Sequence, residues 1–417
     1  MMPAMPRPLT CADFESLDQT DELAFMRDAF ALPDGVVYLD GHSLGALPHR
    51  AVKRLTAVVE DEWGRGLVRS WNDSGWIDLP ERVAAALAPL LGASPDEVVV
   101  TDSTSVNLFK LLAGGARLRP GRPVILSETG NFPTDLYVAQ GLATTLGGLE
   151  LRLVERTEIA AALDERVSVL LLTHVDFRTG ETQDIEGLTT TAHEAGALAL
   201  WDLSHSAGAL PLRLDAWGVD LAVGSGYKYL NGGPGAPAFA FVARHLHDAF
   251  ETPLPGWMGH AAPFAFETAY RPAPGVARLL CGTPPILSLA ALECGVDIVA
   301  RAGIDRLRQK SIRLTDLFIQ LVEQECAGHG LELASPAEAA RRGSQVSYRH
   351  REGHAIVQAL VAHRVIGDFR PPDILRFGFA PAYVRFVDVW EAVAALRAVM
   401  ESREWDRSEF RQPAKVT

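Results

Sequence analysis

Apolar residues in this chain fall into two rhythms. From about residue 81 to 245, short continuous apolar runs recur with longer stretches of helical period between them. The runs are Val98-Val99-Val100, Val124-Ile125-Leu126, Val167-Ser168-Val169-Leu170-Leu171-Leu172, Leu198-Ala199-Leu200-Trp201, Leu221-Ala222-Val223 and Ala238-Phe239-Ala240-Phe241-Val242. A strand without polar alternation is covered on both faces, so this pattern predicts an α/β domain built on a mainly parallel sheet. Sheets of this kind bind ligands at the carboxyl ends of their strands.

After Pro284-Pro285 the rhythm changes to a long helical region over 287–327, shorter strands around Gln345-Val346-Ser347-Tyr348 and Ile374-Leu375-Arg376-Phe377-Gly378, and a helix near 388–402. This predicts a smaller α+β C-terminal domain. Ahead of the sheet lies an arm with a helical stretch from Asp18 to Phe30, a short strand at 36–39 and the polar turn Asp40-Gly41-His42-Ser43-Leu44-Gly45. The expected organisation is an N-terminal arm over 1–60 packing with the small domain, a large domain over 61–285 and a small domain over 286–417. No repeat of solenoid length occurs, and the polar tail after Trp405 is expected to fray.

Composition narrows the function. The 417 residues, 48% hydrophobic and 22% charged, belong to an ordinary globular chain with room for two domains. A formal net charge of −13 without a long Lys/Arg run argues against a nucleic-acid partner and for a small-molecule substrate. Cys11, Cys281, Cys294 and Cys326 form no Cys-x-x-Cys pair, which predicts free thiols, no structural zinc and a reducing, cytoplasmic setting. The proline-rich start, residues 1–8, lacks a signal-peptide core, and no apolar stretch is long enough to span a membrane.

Candidate chemistry gathers where the strands end. Lys228 sits between two tyrosines in the small-residue stretch Ser225-Gly226-Tyr227-Lys228-Tyr229-Leu230-Asn231-Gly232-Gly233, just beyond a strand, where the backbone can approach a flat ligand closely. Most single lysines are solvated surface groups, but Asp202 and His205 follow the preceding strand. An acid for a pyridinium nitrogen together with an amine for a Schiff base points to pyridoxal phosphate; Asp202 as a plain turn cap is the alternative. Thr104 and Ser105, in Thr101-Asp102-Ser103-Thr104-Ser105-Val106-Asn107, stand at a strand-to-helix junction that suits either a phosphate or an ordinary helix cap. Phe132, in Asn131-Phe132-Pro133-Thr134-Asp135, is placed to stack on a planar ring or to fill the core. Arg376, alone within an apolar strand, needs an anion, either a substrate carboxylate or an internal salt bridge. His350 and His354 are spaced as metal ligands on a helix are, but Arg349 and Arg351 beside them favour a solvated face.

Taken in order along the chain, these segments resemble the fold-type I pyridoxal-phosphate enzymes and, more closely, the kynureninase family. The likeness runs through Asp40-Gly41-His42-Ser43-Leu44-Gly45, Arg69-Ser70-Trp71, Ser105-Val106-Asn107-Leu108, Asn131-Phe132-Pro133-Thr134-Asp135, Trp201-Asp202-Leu203-Ser204-His205-Ser206-Ala207-Gly208, Tyr227-Lys228-Tyr229-Leu230-Asn231 and Gly282-Thr283-Pro284-Pro285-Ile286. The resemblance implies that Lys228 carries the cofactor covalently, that Thr104, Ser105 and Tyr227 hold its phosphate, that Phe132 stacks on its ring, that Asp135 and His205 flank it and that Asp202 pairs with its ring nitrogen. Trp257, in Pro255-Gly256-Trp257-Met258-Gly259-His260, and Thr283 match positions that help seat the phosphate across the interface of a homodimer. Arg376 matches the arginine for the substrate carboxylate, and His42, Ser43 and Trp71 fall where the substrate's aromatic end is contacted.

The activity so implied is hydrolysis of L-kynurenine to anthranilate and L-alanine in tryptophan catabolism, with 3-hydroxykynurenine as a further substrate. Thr283 with Gly282 and Trp71 resembles the bacterial, kynurenine-preferring pattern. Lys228 would move the Cα proton, and Tyr227 would pass a proton as the aromatic product leaves. Two other fold-type I activities stay open. A cysteine desulfurase needs a nucleophilic cysteine on a mobile loop, whereas Cys326 lies in a predicted helix; an aminotransferase shares the fold. A regulator that keeps the cofactor without turnover would carry a basic DNA-binding domain, for which neither the length nor the charge provides.

Overall fold

All six apolar runs form strands of one seven-stranded sheet in the computed structural model, which describes residues 9–412. The proline-rich start and the last five residues of the tail lie outside the described residues. The strands are β1 (Val98–Thr101), β2 (Val124–Glu128), β3 (Glu150–Val154), β4 (Val167–Thr173), β5 (Leu198–Asp202), β6 (Leu221–Gly224) and β7 (Ala238–Val242). Their order is β1-β7-β6-β5-β4-β2-β3, and β7 alone runs against its neighbours. Six of the seven are buried throughout, as strands without alternation must be. The pattern did not reveal β3, an edge strand whose Glu-Leu-Arg-Leu-Val sequence leaves every residue partly in water.

Helices α1 (Thr104–Arg117), α2 (Pro133–Leu146) and α3 (Ile185–Glu194) each follow a strand and pack back on the sheet. Leu108, Leu111, Leu112, Ala139 and Leu142 bury their side chains against Ile125, Val169, Leu198 and Leu200 in one core. The start of α1 is set by Ser103, whose hydroxyl accepts the Val106 N–H at 3.4 Å. Because the strands run in parallel, the turns leading into these helices gather at one edge of the sheet.

The expected helix over 287–327 is two helices, α4 (Ile286–Ala302) and α5 (Ile304–Glu325), divided at Gly303, whose φ of +79° is left-handed. The arm likewise differs from the expected helix at Asp18 to Phe30. An α-helix runs over Cys11–Gln19, opened by reciprocal bonds between Thr10 and Asp13, and a 3-10 turn covers Ala24–Ala29. Asp21 interrupts the path by accepting the Leu23 N–H on its side chain at 3.0 Å.

The chain resolves into two compact units. The larger contains residues 47–177 and 182–301, and the smaller contains the chain up to Ala46, Arg178–Glu181 and the chain from Ala302. These divisions fall at 46/47 and 301/302, where the sequence expectation set 60/61 and 285/286. The difference comes from two helices, His49–Ala57 and α4, which group with the sheet unit. In the smaller unit a four-stranded antiparallel sheet forms from β8 (Glu332–Leu333), β9 (Gln345–Arg349), β10 (Asp368–Arg370) and β11 (Ile374–Gly378), in the order β10-β11-β9-β8. Helix α6 (Phe386–Ser402) packs against α5 and the Cys11–Gln19 helix in the same unit. Among the described residues no helix is long and apolar enough to cross a membrane.

Helix α4 matters for the lysine turn. Gly295 faces the backbone just past Lys228, and a Cβ there would lie 2.1 Å from the Leu230 carbonyl oxygen. Only a residue without a side chain allows this approach. Gly295→Ala is therefore expected to force helix and turn apart and to destabilise the protein by about 1–3 kcal/mol, read as a lower urea midpoint with an unchanged slope; an unaltered midpoint would show that the contact yields freely.

Candidate active site

A cavity of about 250 Å³ opens at the carboxyl edge of the large sheet. Its wall contains Thr104, Ser105, Phe132, Asp135, Asp202, His205, Tyr227 and Lys228, eight of the residues singled out in the sequence. Each arrives from a strand end or the turn that follows. Thr104 and Ser105 are the first two residues of α1, Phe132 and Asp135 flank the start of α2, Asp202 closes β5, and Tyr227 and Lys228 follow β6. The lysine turn is self-bonded: Asn231 N–H donates to the Lys228 carbonyl and Gly232 N–H to the Gly226 carbonyl, both at 2.9 Å.

The electrostatics centre on two acids. Asp135 and Asp202 are 2% and 4% exposed, and their carboxyls share a hydrogen bond. Burial, and next the charge of Asp202, push Asp135 well above the ordinary carboxylate range, while Thr173 and Lys228 oppose the rise. Asp135 is therefore the acid that keeps its proton here. Asp202 Oδ1 also accepts the Ser204 N–H at 2.7 Å, and the Thr173 hydroxyl donates to Asp135 Oδ2 at 3.3 Å. Burial, and then Asp202, raise the Tyr227 phenol, so it stays protonated and able to donate. The Lys228 ammonium lies 5.8 Å from the centre of the Tyr227 ring. Phe132 keeps 36% of its surface exposed and meets Phe177 edge to face at 5.2 Å, leaving a ring face open.

Thr134, Thr173, Val175, Phe177 and Ser204, to which the sequence assigned no role, complete the wall. Thr173 pairs in register with Asp202 on the neighbouring strand. Its position at the end of an apolar run was the available signal. Trp257 and Thr283 do not line the cavity. Both are exposed in the same unit, Trp257 opening a 3-10 turn and standing edge to face with Phe264 at 5.6 Å. Trp71 is half-buried in this unit, edge to face with Trp76 at 5.8 Å.

The smaller unit holds the remaining predicted residues. Arg376, 2% exposed on β11, donates through Nε to Asp368 Oδ1 at 2.7 Å and through a second nitrogen to Oδ2. Both readings of this arginine from sequence required an anion, and Asp368 is one that the sequence did not single out. His42 is fully buried, with Nε2 at 3.5 Å from Asp368 and Nδ1 at 3.6 Å from Asp40. Gly378 makes room for it, since a Cβ there would stand 1.9 Å from His42 Nδ1. Burial, and next Arg376, lower His42 to about 4, so the ring is neutral. Ser43 bonds to Asp40 from the same turn. Among the described residues, Asp40, His42 and Asp368 are the one group spaced to hold a metal ion, but Arg370 and Arg376 already supply the positive charge there. His350 accepts the Glu352 N–H through Nδ1, and His354 meets Phe369 edge to face at 5.7 Å. A larger cleft of about 830 Å³ surrounds Arg349, His350 and Trp405 and contains none of the predicted site residues.

Hydroxyls at a helix start, an open aromatic face, a buried acid pair holding a proton and an amine in one cavity form a donor set for a phosphorylated nitrogen heterocycle with a carbonyl group. The fold agrees. A cysteine desulfurase from Thermococcus onnurineus NA1 superposes with a TM-score of 0.79 at 19% identity, covering 91% of this chain and 98% of that one. A C-DES mutant, solved with glycine covalently linked to its PLP cofactor, gives a TM-score of 0.77, also at 19% identity, with 89% and 98% covered. The architecture is that of the fold-type I pyridoxal-phosphate enzymes.

Sequence similarity is more specific. A kynureninase from Pseudomonas fluorescens is 52% identical over 411 residues, 97% of this chain and 99% of that protein. Residues 307–396 match the family model described as the kynureninase C-terminal domain. This chain belongs to the kynureninase family.

The acid in the Asp40 turn has a pH consequence. Burial, and next Asp368, raise Asp40 from its ordinary 3.8 to about 8, and its buried Oδ1 lacks a hydrogen-bond partner. An acid that binds its proton more tightly when folded contributes stability that is complete below the unfolded pKa and lost as pH rises through the folded one. Between about pH 5 and about pH 8 the Tm of the parent is expected to fall relative to that of Asp40→Asn; parallel curves would mean the carboxyl is ionised throughout.

Proposed function

We propose that the protein is a pyridoxal-phosphate-dependent hydrolase that cleaves L-kynurenine to anthranilate and L-alanine. The observation that carries this reading is the single cavity joining Lys228, Tyr227 and the Asp135–Asp202 pair to the start of α1. The cofactor supplies an electron sink for the carbanions that the cleavage requires. The backbone N–H groups and hydroxyls of Thr104 and Ser105 would hold its phosphate, with Tyr227 beside them. Phe132 would cover one face of its ring, and His205 and Asp135 would flank it.

Asp202 would accept the hydrogen bond of a protonated ring nitrogen, which would give this buried acid a cationic partner. Lys228 is the covalent anchor and the base that takes the Cα proton of the substrate. Tyr227, a neutral phenol held close to that amine, delivers a proton to the departing fragment. Arg376 binds the substrate carboxylate, its fork held in place by Asp368, while His42, Ser43 and Trp71 contact the aromatic end. Thr283, Gly282 and Trp71 support a preference for kynurenine over 3-hydroxykynurenine.

Trp257 and Thr283 serve the phosphate site of a partner subunit in a homodimer. Supporting this, the larger unit exposes Trp63, Leu67, Val68, Phe264 and Phe266, each more than half accessible, and Phe264 stands against the exposed Trp257. The four cysteines are free thiols, which supports a cytoplasmic setting, and the net charge of −13 supports a small-molecule partner over nucleic acid.

The desulfurase alternative meets a specific obstacle. Cys326 is 3% exposed at the end of α5, and burial, then Glu325, push its thiol up to about 12, so it is neither accessible nor ionised.

The purified protein is expected to show a visible band from lysine-bound cofactor and to release anthranilate, seen by its fluorescence, from added L-kynurenine. Lys228→Ala should lose that band and roughly 10²–10⁴-fold in kcat/KM. Bound cofactor without anthranilate would move the activity to another fold-type I enzyme, and a protein that cannot be loaded would refute the reading. Arg376→Lys keeps the charge but loses the fork; it should raise KM about tenfold with the cofactor band unchanged, whereas an unchanged KM would leave the arginine a structural partner of Asp368.

A further inference from the structure

Lys110, in the second turn of α1, has a side chain with no exposure to solvent. An ammonium group so placed requires full pairing. Its Nζ donates to Asp102 Oδ2, and at 2.6 Å to the backbone carbonyl of Leu279. One acceptor stands beside the proposed phosphate seat at the start of α1, and the other precedes the segment that carries Thr283, proposed above to serve the partner's seat.

Asp102 is the residue between β1 and the Ser103 cap, directly ahead of Thr104 and Ser105. Its φ of +47° is left-handed, a conformation that few L-residues other than Asn and Asp adopt. The ion pair with Lys110, a bond from the Thr101 hydroxyl at 3.1 Å and one from Ala238 N–H to the Asp102 carbonyl at 2.8 Å impose it here. Strained backbone fastened beside a binding element is a mark of preorganisation.

Leu279 ends the 3-10 turn Gly275–Leu279 and leads through Leu280 and Cys281 to Gly282 and Thr283. The Trp257 turn rests on the same backbone. A Cβ on Gly256 would lie 2.1 Å from the Cys281 carbonyl oxygen, and one on Gly259 would lie 2.4 Å from that of Leu280. One buried ammonium therefore ties the turn before α1 to the segment that carries Trp257 and Thr283.

We infer that Lys110, through its pair with Asp102, is a positioning residue for the cofactor phosphate: it fixes the start of α1 and the 279–283 segment against each other. It does not itself touch the phosphate, because Nζ is sealed and both its acceptors lie within the protein. The inference rests on the proposed cofactor and extends it to a residue outside the cavity.

The test compares pyridoxal phosphate with pyridoxal, which lacks only the phosphate, by titrating each into cofactor-stripped full-length protein and following the visible band. The parent is measured first. If it shows no preference for the phosphorylated form, the cofactor reading fails and this inference goes with it. Given that preference, Lys110→Met should reduce it by about tenfold, through weaker binding of pyridoxal phosphate alone. A preference unchanged in the variant, whether both affinities fall or neither does, makes the ion pair a general structural element and overturns the inference. Should Lys110→Met not fold, Asp102→Asn, which keeps the side-chain shape and an acceptor, is judged by the same ratio. In either variant the urea midpoint separates lost stability from lost phosphate selectivity.

Discussion

Asp135 and Asp202 are pressed together inside the protein, and two carboxylates in such a place cannot both be ionised. Asp135 is the one that retains its proton. This constraint organises the cavity: the Thr173 hydroxyl and the Ser204 backbone N–H supply hydrogen bonds to the acids, and Lys228 stands close enough to moderate the rise in Asp135.

The smaller unit meets a related problem by the opposite means. Asp368 is buried, but His42 and the forks of Arg376 and Arg370 surround it and hold it below the ordinary carboxylate range despite its burial. Asp40, lacking such direct pairing, goes the other way and retains its proton. The same residue type thus takes two charge states a few ångströms apart, decided by which of them faces the guanidinium groups. Arg376 is held in one orientation by this arrangement, its Nε and a second nitrogen both given to Asp368.

Fold and function separate cleanly here. A cysteine desulfurase shares the architecture at a TM-score of 0.79, yet the Cys326 thiol of this chain is buried and its relatives at 52% identity are kynureninases. The parallel sheet and its strand-end cavity are common property; the residues delivered into that cavity are not.

Much of this was legible in the chain. Continuous apolar runs marked six of the seven sheet strands, because burial on both faces leaves no polar alternation, and they hid β3 because an edge strand is half solvated. The strand ends then located Asp202, Asp135 and Lys228, since parallel strands bring their carboxyl ends to one side. The partners of buried charge were not legible: Asp368 lies 8 positions from Arg376, and Leu279 lies 169 from Lys110, contributing only a backbone carbonyl with no residue type to betray it. Nor did periodicity separate α4 from α5, or assign α4 to the sheet unit, since a single glycine at 303 and the bare face of Gly295 act through geometry rather than hydrophobicity. Sequence alone determined the elements and the kinds of side chain at their ends, because those depend on local pattern. Tertiary structure decided which acids keep a proton, which charges are neutralised and which backbone they grip, because pairing energies depend on distance and burial that only the folded chain defines.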